Sequence, residues 1–196
     1  EGISLFLIDS DFPGISSRHY PTVDGRRASE ITLENVKVEK SSLLGLKDKG
    51  FKELDNSVDT ATLAICAEAV GAMEVLYKST VEYTKTRKQF GQAIGKFQVL
   101  QHRMVDMFME YEQCKSLLYM ATVKKVEDSA DAKKSISGLK FQVGKAGKFI
   151  GQQSIQLHGG MGVTDELNIG HFFKRLTTIA TIFGNTDYHL KRYSEL

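Results

Sequence analysis

Cysteine and proline are scarce in this chain of 196 residues, with two of each, and charge of one sign is scarce as well. Two cysteines, Cys66 and Cys114, cannot make a disulfide framework. Each falls inside a helical pattern, which predicts buried, reduced thiols and a reducing, cytoplasmic compartment. Lys and Arg (26) nearly balance Asp and Glu (24), so the net charge of +2 gives no footing for a nucleic-acid partner. No apolar run approaches ~18 residues, so no membrane insertion is expected. No basic-then-apolar leader is visible at the start. The five histidines, at 19, 102, 158, 171 and 189, never pair at metal-ligand spacing. Neither G-x-S-x-G nor Cys-x-x-Cys occurs. Gly138 and Gly144-Lys145 imitate a phosphate loop, but five residues separate the glycines instead of four, and Ala146 stands where Ser or Thr is needed.

Both prolines, Pro13 and Pro21, lie in the first 25 residues, and so do the strand signals. Gly2 to Ile8 is a short apolar run, and Phe12-Pro13-Gly14 reads as a turn. Glu30 to Val38 (EITLENVKV) is rich in β-branched residues, with a parity shift that predicts a bulge at Glu34-Asn35. Three or four strands without a covering helix cannot close a stable sheet. Residues 1–45 are therefore read as the C-terminal half of a β-domain.

Residues 46–196 read as a helical bundle. Leu54, Val58, Ala61, Ile65, Ala69, Ala72, Leu76 and Tyr83 follow at helical spacing, and no proline interrupts 50–86. Phe97, Leu100, Met104, Met107, Tyr111, Cys114, Leu118 and Ala121 alternate steps of three and four, a seam for a partner helix. Glu127-Asp128-Ser129 ends it. A third helix carries Ala132, Ile136, Leu139, Val143, Ala146 and Ile150 on one face. It also carries Gly138, Gly144, Gly147 and Gly151, each costing ~1 kcal/mol relative to Ala, which predicts close approach of a neighbouring backbone. A loop at 158–162, a helix over about 165–180 and a last helix after Asn185 complete the reading. The fold class is mainly α: a long antiparallel bundle after a partial β-domain.

Two segments carry chemistry. In 87–98, Arg87, Gln89 and Phe90 converge on a glycine-rich turn between helices. A guanidinium suits a diphosphate because it offers a planar fork of donors that cannot deprotonate. In Gln156-Leu157-His158-Gly159-Gly160-Met161-Gly162, consecutive glycines let a ligand approach backbone amides. Taken singly, these are a polar interhelix loop and a glycine helix stop.

Together and in this order they resemble the C-terminal part of the acyl-CoA dehydrogenase family, whose R-x-x-F-G turn contacts FAD and whose Q-x-x-G-G loop reaches the FAD of a neighbouring subunit. Gly25-Arg26-Arg27-Ala28-Ser29 with EITLENVKV looks like the end of that family's middle β-domain, and Leu43-Leu44-Gly45 with Lys49-Gly50-Phe51 like its lead into the bundle. Phe183-Gly184-Asn185-Thr186 sits where the family has an aromatic residue, Glu, Gly and Thr. The resemblance implies FAD bound by Arg87, Gln89, Phe90, Gln156, Gly159, Gly160 and Thr186. It implies oxidation of an acyl-CoA thioester to the 2,3-enoyl form, with a carboxylate base taking the α-proton while the β-hydrogen leaves as hydride. A backbone N–H at the base and a flavin hydroxyl would hold the thioester oxygen. Electron-transfer flavoprotein is the implied acceptor, and homo- or hetero-oligomers, dimers of dimers, the implied assembly.

The sequence departs from the family at the base. Gly184 occupies its usual position, and Ala61, followed by Thr62, the alternative position on the first helix. Tyr188 replaces a Gln that helps hold FAD. Three readings stand. The base has moved, with Asp187 or Asp59 as candidates. Or the chain is one subunit of a mixed oligomer whose partner supplies the base; FGNTDYHLKRY and HGGMGVTDELNIGHFFKRL look similar to small subunits of two-component bacterial enzymes of the pimeloyl-CoA type, which favours this reading. Or the chain is a flavin-binding, acyl-CoA-binding or assembly module without dehydrogenation. The non-catalytic alternatives place Asp187 as a helix N-cap and Asp59 against the CoA part or solvent. The 196 residues alone are expected to bind FAD weakly or not at all.

Overall fold

A proline-free stretch with apolar residues every third or fourth position forms long helices, and the computed structural model, which describes residues 2–196, is dominated by them. It divides into two compact units, one reaching Val58 and the other Asp59–Leu196.

The first unit holds two small antiparallel ladders. Strands β1 (Leu5–Phe6) and β4 (Leu43–Leu44) pair with Leu5 opposite Leu44. Strands β2 (Ile15–Pro21) and β3 (Arg27–Leu33) form a hairpin with Ile15 opposite Leu33 and Pro21 opposite Arg27. The polar β2 sequence ISSRHYP carried no alternation to announce it. The bulge expected at Glu34-Asn35 is absent: β3 ends at Leu33, and Asn35 turns left-handed at φ 51°. Asn tolerates that conformation, so the parity shift marks a strand end.

Helix α1 (Phe51–Thr86) begins in the first unit and runs on into the second. By length and composition it could cross a membrane, with a mean hydropathy of 1.3 over its best window. Here Cys66, Ala69, Met73 and Leu76 are wholly buried in the bundle core. Its buried face runs through Thr62, Cys66, Ala69, Met73, Leu76, Thr80 and Thr84. The expected face holds at Ala69, Ala72 and Leu76 and is displaced by about one residue towards the ends, where Leu54 is exposed and Ala61 and Ile65 are half-buried. The difference comes from threonine. Thr80 and Thr84 donate to the carbonyls of Leu76 (2.7 Å) and Val81 (2.8 Å), so their hydroxyls are satisfied without solvent.

A tight hairpin of β5 (Lys88–Gln89) and β6 (Gln92–Ala93) links α1 to α2 (Gln98–Val126). The α2 seam is as read: Met107, Tyr111, Cys114 and Ala121 are buried, and Leu100, Met104 and Leu118 pack against the core. Asp128, at φ 51°, stops the chain before α3 (Ala132–His158). Every residue of the expected α3 face, Ala132 to Ile150, is buried. Helix α3 packs against α2, α4 (Ile169–Ile179) and α5 (Thr186–Glu195). Its glycines do admit neighbours, but these are side chains of the last two helices. A Cβ at Gly144 would stand 2.6 Å from Thr186 Cγ2, at Gly151 2.5 Å from Phe173 Cδ2, and at Gly138 3.2 Å from the Tyr193 ring. Helix α4 starts at Ile169 rather than near 165, because Thr164 is extended and a turn precedes the Asn168 N-cap.

Candidate functional site

The two segments singled out in the sequence meet in one cleft of about 410 Å³. Arg87, Gln89 and Ile94 form one wall, Gln156, Gly159, Gly160 and Met161 the other, and Tyr83, Leu157 and His158 the floor. The β5–β6 hairpin turns on Phe90 (φ 53°) and Gly91 (φ 79°), two consecutive left-handed residues as in a type I′ turn. A phenylalanine is costly there. Its ring is 90% exposed and meets Phe97 edge-on at 6.1 Å. The turn therefore presents an aromatic face outward.

The opposite wall begins where α3 ends. Gly159, at φ 60°, caps the helix by donating to Gln156 O. A Cβ at Gly159 or Gly160 would meet nothing within 4 Å, so the backbone there is bare and reachable. The floor was not legible as such. The Tyr83 ring stacks on buried His158 at 4.3 Å, and the Tyr83 hydroxyl reaches His158 O at 3.4 Å. His158 Nδ1 is 2.8 Å from Ser154 O and so carries the proton. Burial pushes the His158 pKa below its ordinary value, which keeps the ring neutral. A guanidinium, two amide side chains and bare backbone around a stacked floor fit a diphosphate-bearing cofactor.

Thr186 is not in this cleft. It lines a second one of about 600 Å³ with Gly144, Lys145, Lys148, Gln152 and Asn185. The candidate residues thus occupy two separate places on one chain.

Beside the second cleft lies the Phe183–Gly184 turn. Phe183 (φ 57°) and Gly184 (φ 105°) are both left-handed. A Cβ at Gly184 would overlap Tyr188 Cδ1 and stand 2.9 Å from Cε1 and 3.1 Å from His189 Nε2. The Tyr188 ring fills the space a side chain at 184 would need, so the two departures from the family pattern are one packing arrangement. Gly184 O accepts from Lys140 Nζ (2.8 Å), which also reaches Ala180 O (3.4 Å), and Phe183 O accepts from His189 Nε2 (2.9 Å). Lys140 and His189 are each 1% exposed. Burial lowers both pKa values, and for His189 the nearby Lys140 and Arg192 add to it. Neither residue was found from the sequence. Lys140 had a signal: it lies four residues after Ile136 and three before Val143, on the apolar face of α3.

The two candidate bases differ. Asp59 is buried, and its carboxylate takes a bidentate pair from Arg192, at 2.6 and 3.0 Å, with Ser137 Oγ completing the cluster. It thus faces neither CoA nor solvent but an ion pair in the bundle. Asp187 is exposed in the first turn of α5, and the N-cap is its neighbour Asn185, whose side chain accepts from Tyr188 N (2.9 Å). Ala61 is half-buried beside buried Thr62. Both cysteines are free and buried, and burial pushes their pKa values up to about 12. Among the described residues no cluster could hold a metal ion.

Comparison with known proteins agrees with this geometry. Subunit CarC of the caffeyl-CoA reductase-Etf complex of Acetobacterium woodii is 30% identical over 189 residues, covering 95% of this chain and 49% of that protein. The structure of PigA with FAD and proline superposes with a TM-score of 0.93 at 28% identity, covering 98% of this chain and 51% of that one. A Tcur3481-Tcur3483 steroid acyl-CoA dehydrogenase superposes with a TM-score of 0.85 at 28% identity, with coverages of 98% and 51%. The chain spans about half the length of the curated relatives it matches. Residues 48–195 match the family model of the acyl-CoA dehydrogenase C-terminal domain, and with the helical bundle and its paired clefts this makes the chain a member of the acyl-CoA dehydrogenase family.

Proposed function

We propose that the protein takes part in FAD-dependent α,β-dehydrogenation of an acyl-CoA thioester as one subunit of a heteromeric enzyme, with the catalytic carboxylate supplied by its partner. The observation that carries this reading is the Phe183–Gly184 turn: residue 184 has no side chain, and the Tyr188 ring occupies the space for one. Ala61 leaves the alternative position equally without a carboxylate. A similar structure from two gene products, Tcur3481-Tcur3483, gives the heteromer a precedent.

Arg87, Gln89, Gln156, Gly159 and Gly160 would hold the diphosphate part of FAD, the outward Phe90 ring would pack on the cofactor, and Thr186, on the second cleft, would serve a cofactor from another side. FAD supplies the two-electron acceptor when bound. The separation of the clefts supports a cofactor shared between chains in a dimer of dimers, and the relative named for an Etf complex supports electron-transfer flavoprotein as the acceptor. A cytoplasmic location goes with buried, reduced Cys66 and Cys114.

Anaerobic titration of the complete protein with a panel of acyl-CoAs tests the reading through the flavin band near ~450 nm, whose loss reports reduction of the cofactor. The expected result is a band that survives every substrate until a Glu-bearing homologous subunit is added. Bleaching by the single gene product would overturn the heteromer and point to exposed Asp187 in this chain.

A further inference from the structure

The Phe183–Gly184 turn is held from inside the bundle by two side chains with no other evident task. His189 comes from α5 and Lys140 from α3, so the turn is anchored to two helices. A trans peptide is planar, and its C=O and N–H point in opposite directions. His189 Nε2 donates to Phe183 O, which fixes the plane of the 183–184 peptide and sends the Gly184 N–H the opposite way. Lys140 Nζ donates to Gly184 O, which likewise sends the Asn185 N–H away from the lysine. Among the described residues none accepts from either N–H. Buried groups thus set the two peptide planes, and the two N–H groups take no acceptor among the described residues.

His189 suits this task because it is kept neutral. Its burial disfavours a second proton and outweighs the opposing hydrogen bond to the Phe183 carbonyl; Lys140 and Arg192 disfavour that proton further, and Asp59 opposes them. The neutral ring carries its proton on Nε2, where the Phe183 carbonyl accepts it, and buried Nδ1 has no partner. Gly184 completes the arrangement. Its φ of 105° is barely open to other residues, and a Cβ there would overlap the Tyr188 ring.

We propose that His189 and Lys140 are positioning residues which hold the carbonyls of Phe183 and Gly184 so that the Gly184 and Asn185 N–H groups form an outward donor pair for the thioester oxygen of the substrate. The proposal rests on the acyl-CoA reading above. The chain then supplies the oxygen-binding half of a site whose proton-accepting half lies elsewhere.

The test uses the complete heteromer with three variants: His189→Phe, which keeps a ring without a donor; His189→Gln, whose amide restores one; and Lys140→Met. Infrared spectra of a bound acyl-CoA labelled with 13C at the thioester carbonyl report hydrogen bonding directly. In the wild type the carbonyl band should lie below that of free acyl-CoA. His189→Phe should return it toward the free value, lower kcat by about 100-fold, the loss typical of one oxyanion donor, and leave KM nearly unchanged. His189→Gln should recover most of both, which a merely structural role does not predict. Lys140→Met should shift the band in the same direction by less. A folded His189→Phe protein with wild-type kcat and band overturns the proposal, as does an unshifted band in the wild type. If the wild-type heteromer binds no acyl-CoA, the functional reading fails. Crystal structures then decide the positioning: an unmoved 183–184 peptide in His189→Phe refutes it, and a rotated one upholds it.

Discussion

Substitution of Gly184 by alanine isolates the feature on which the functional reading depends. At φ 105° the backbone is outside the ordinary range of an L-residue, which costs about 1–3 kcal/mol. The new Cβ would overlap Tyr188 Cδ1. Tyr188 is 55% exposed, so its ring can swing away, losing its edge-on contact with His189 at 5.0 Å. Such a contact is worth roughly 0.5–1.5 kcal/mol. Gly184→Ala should therefore destabilise the protein by about 2–4 kcal/mol in urea titrations followed by circular dichroism. Tyr188→Ala alone should cost about 1 kcal/mol, and the double variant should fall short of the sum by about the same amount, because the ring contact is lost only once. Glutamate at 184 carries the same Cβ, so Gly184→Glu should lose at least as much stability in the same titration. A Gly184→Ala protein within ~0.5 kcal/mol of wild type, or strict additivity in the double variant, would refute the coupling of the two residues.

Acidification should destabilise the protein. Burial lowers the folded-state pKa of both His158 and His189 below the ordinary 6.5, so the unfolded chain takes up protons first as pH falls. Stability is complete above about 6.5 and is lost as pH drops from there through the folded-state values; a melting temperature flat between pH 8 and 5, by calorimetry, would contradict this. Asp59→Asn should cost about 3 kcal/mol by leaving Arg192 without its counter-charge, whereas exposed Asp187→Asn should cost only about 0.3–1 kcal/mol from the first turn of α5. Loss of activity in Asp59→Asn therefore identifies a base only if urea titration shows the fold intact. Gly147→Ala should stabilise α3 by about 0.5–1 kcal/mol, since its Cβ would stand 3.4 Å from Leu176, an ordinary contact. Gly144→Ala, which drives a methyl against Thr186, should lower stability by about 1–2 kcal/mol in the same assay.

Much of the bundle was legible because apolar periodicity reports burial directly. The α2 and α3 faces follow steps of three and four, and their residues are buried as the spacing predicts. The middle of the α1 face, Ala69, Ala72 and Leu76, is legible in the same way, but its ends are not, because Thr62, Thr80 and Thr84 count as polar by composition, yet two of them satisfy their hydroxyls on the helix's own carbonyls. The converging walls of the first cleft were legible as segments, since Arg87 and the glycines at 159 and 160 are unusual in bundle helices. Their proximity was not, because it depends on how the end of α1 meets the end of α3, through Tyr83 and His158. The Asp59–Arg192 pair joins residues 133 positions apart and left no local trace. The same holds for the His189 contact to Phe183, because a ring nitrogen six residues from its acceptor gives no periodic signal.

The two clefts bear on how the proposed cofactor would be held. Arg87, Gln89, Gln156, Gly159 and Gly160 share one cleft, Thr186 the other, and no residue lines both. On the proposed reading a flavin draws the two sets from two chains, so cofactor binding and assembly are one linked equilibrium. FAD should then raise the association constant of the subunits, and dilution should release FAD from a protein whose individual clefts are intact. Analytical ultracentrifugation across a range of concentrations, with absorbance at the flavin wavelength, reads both at once. A flavin that stays with the dissociated chain would show that one cleft suffices, and the division of the candidate residues between two places would then have nothing to do with the cofactor.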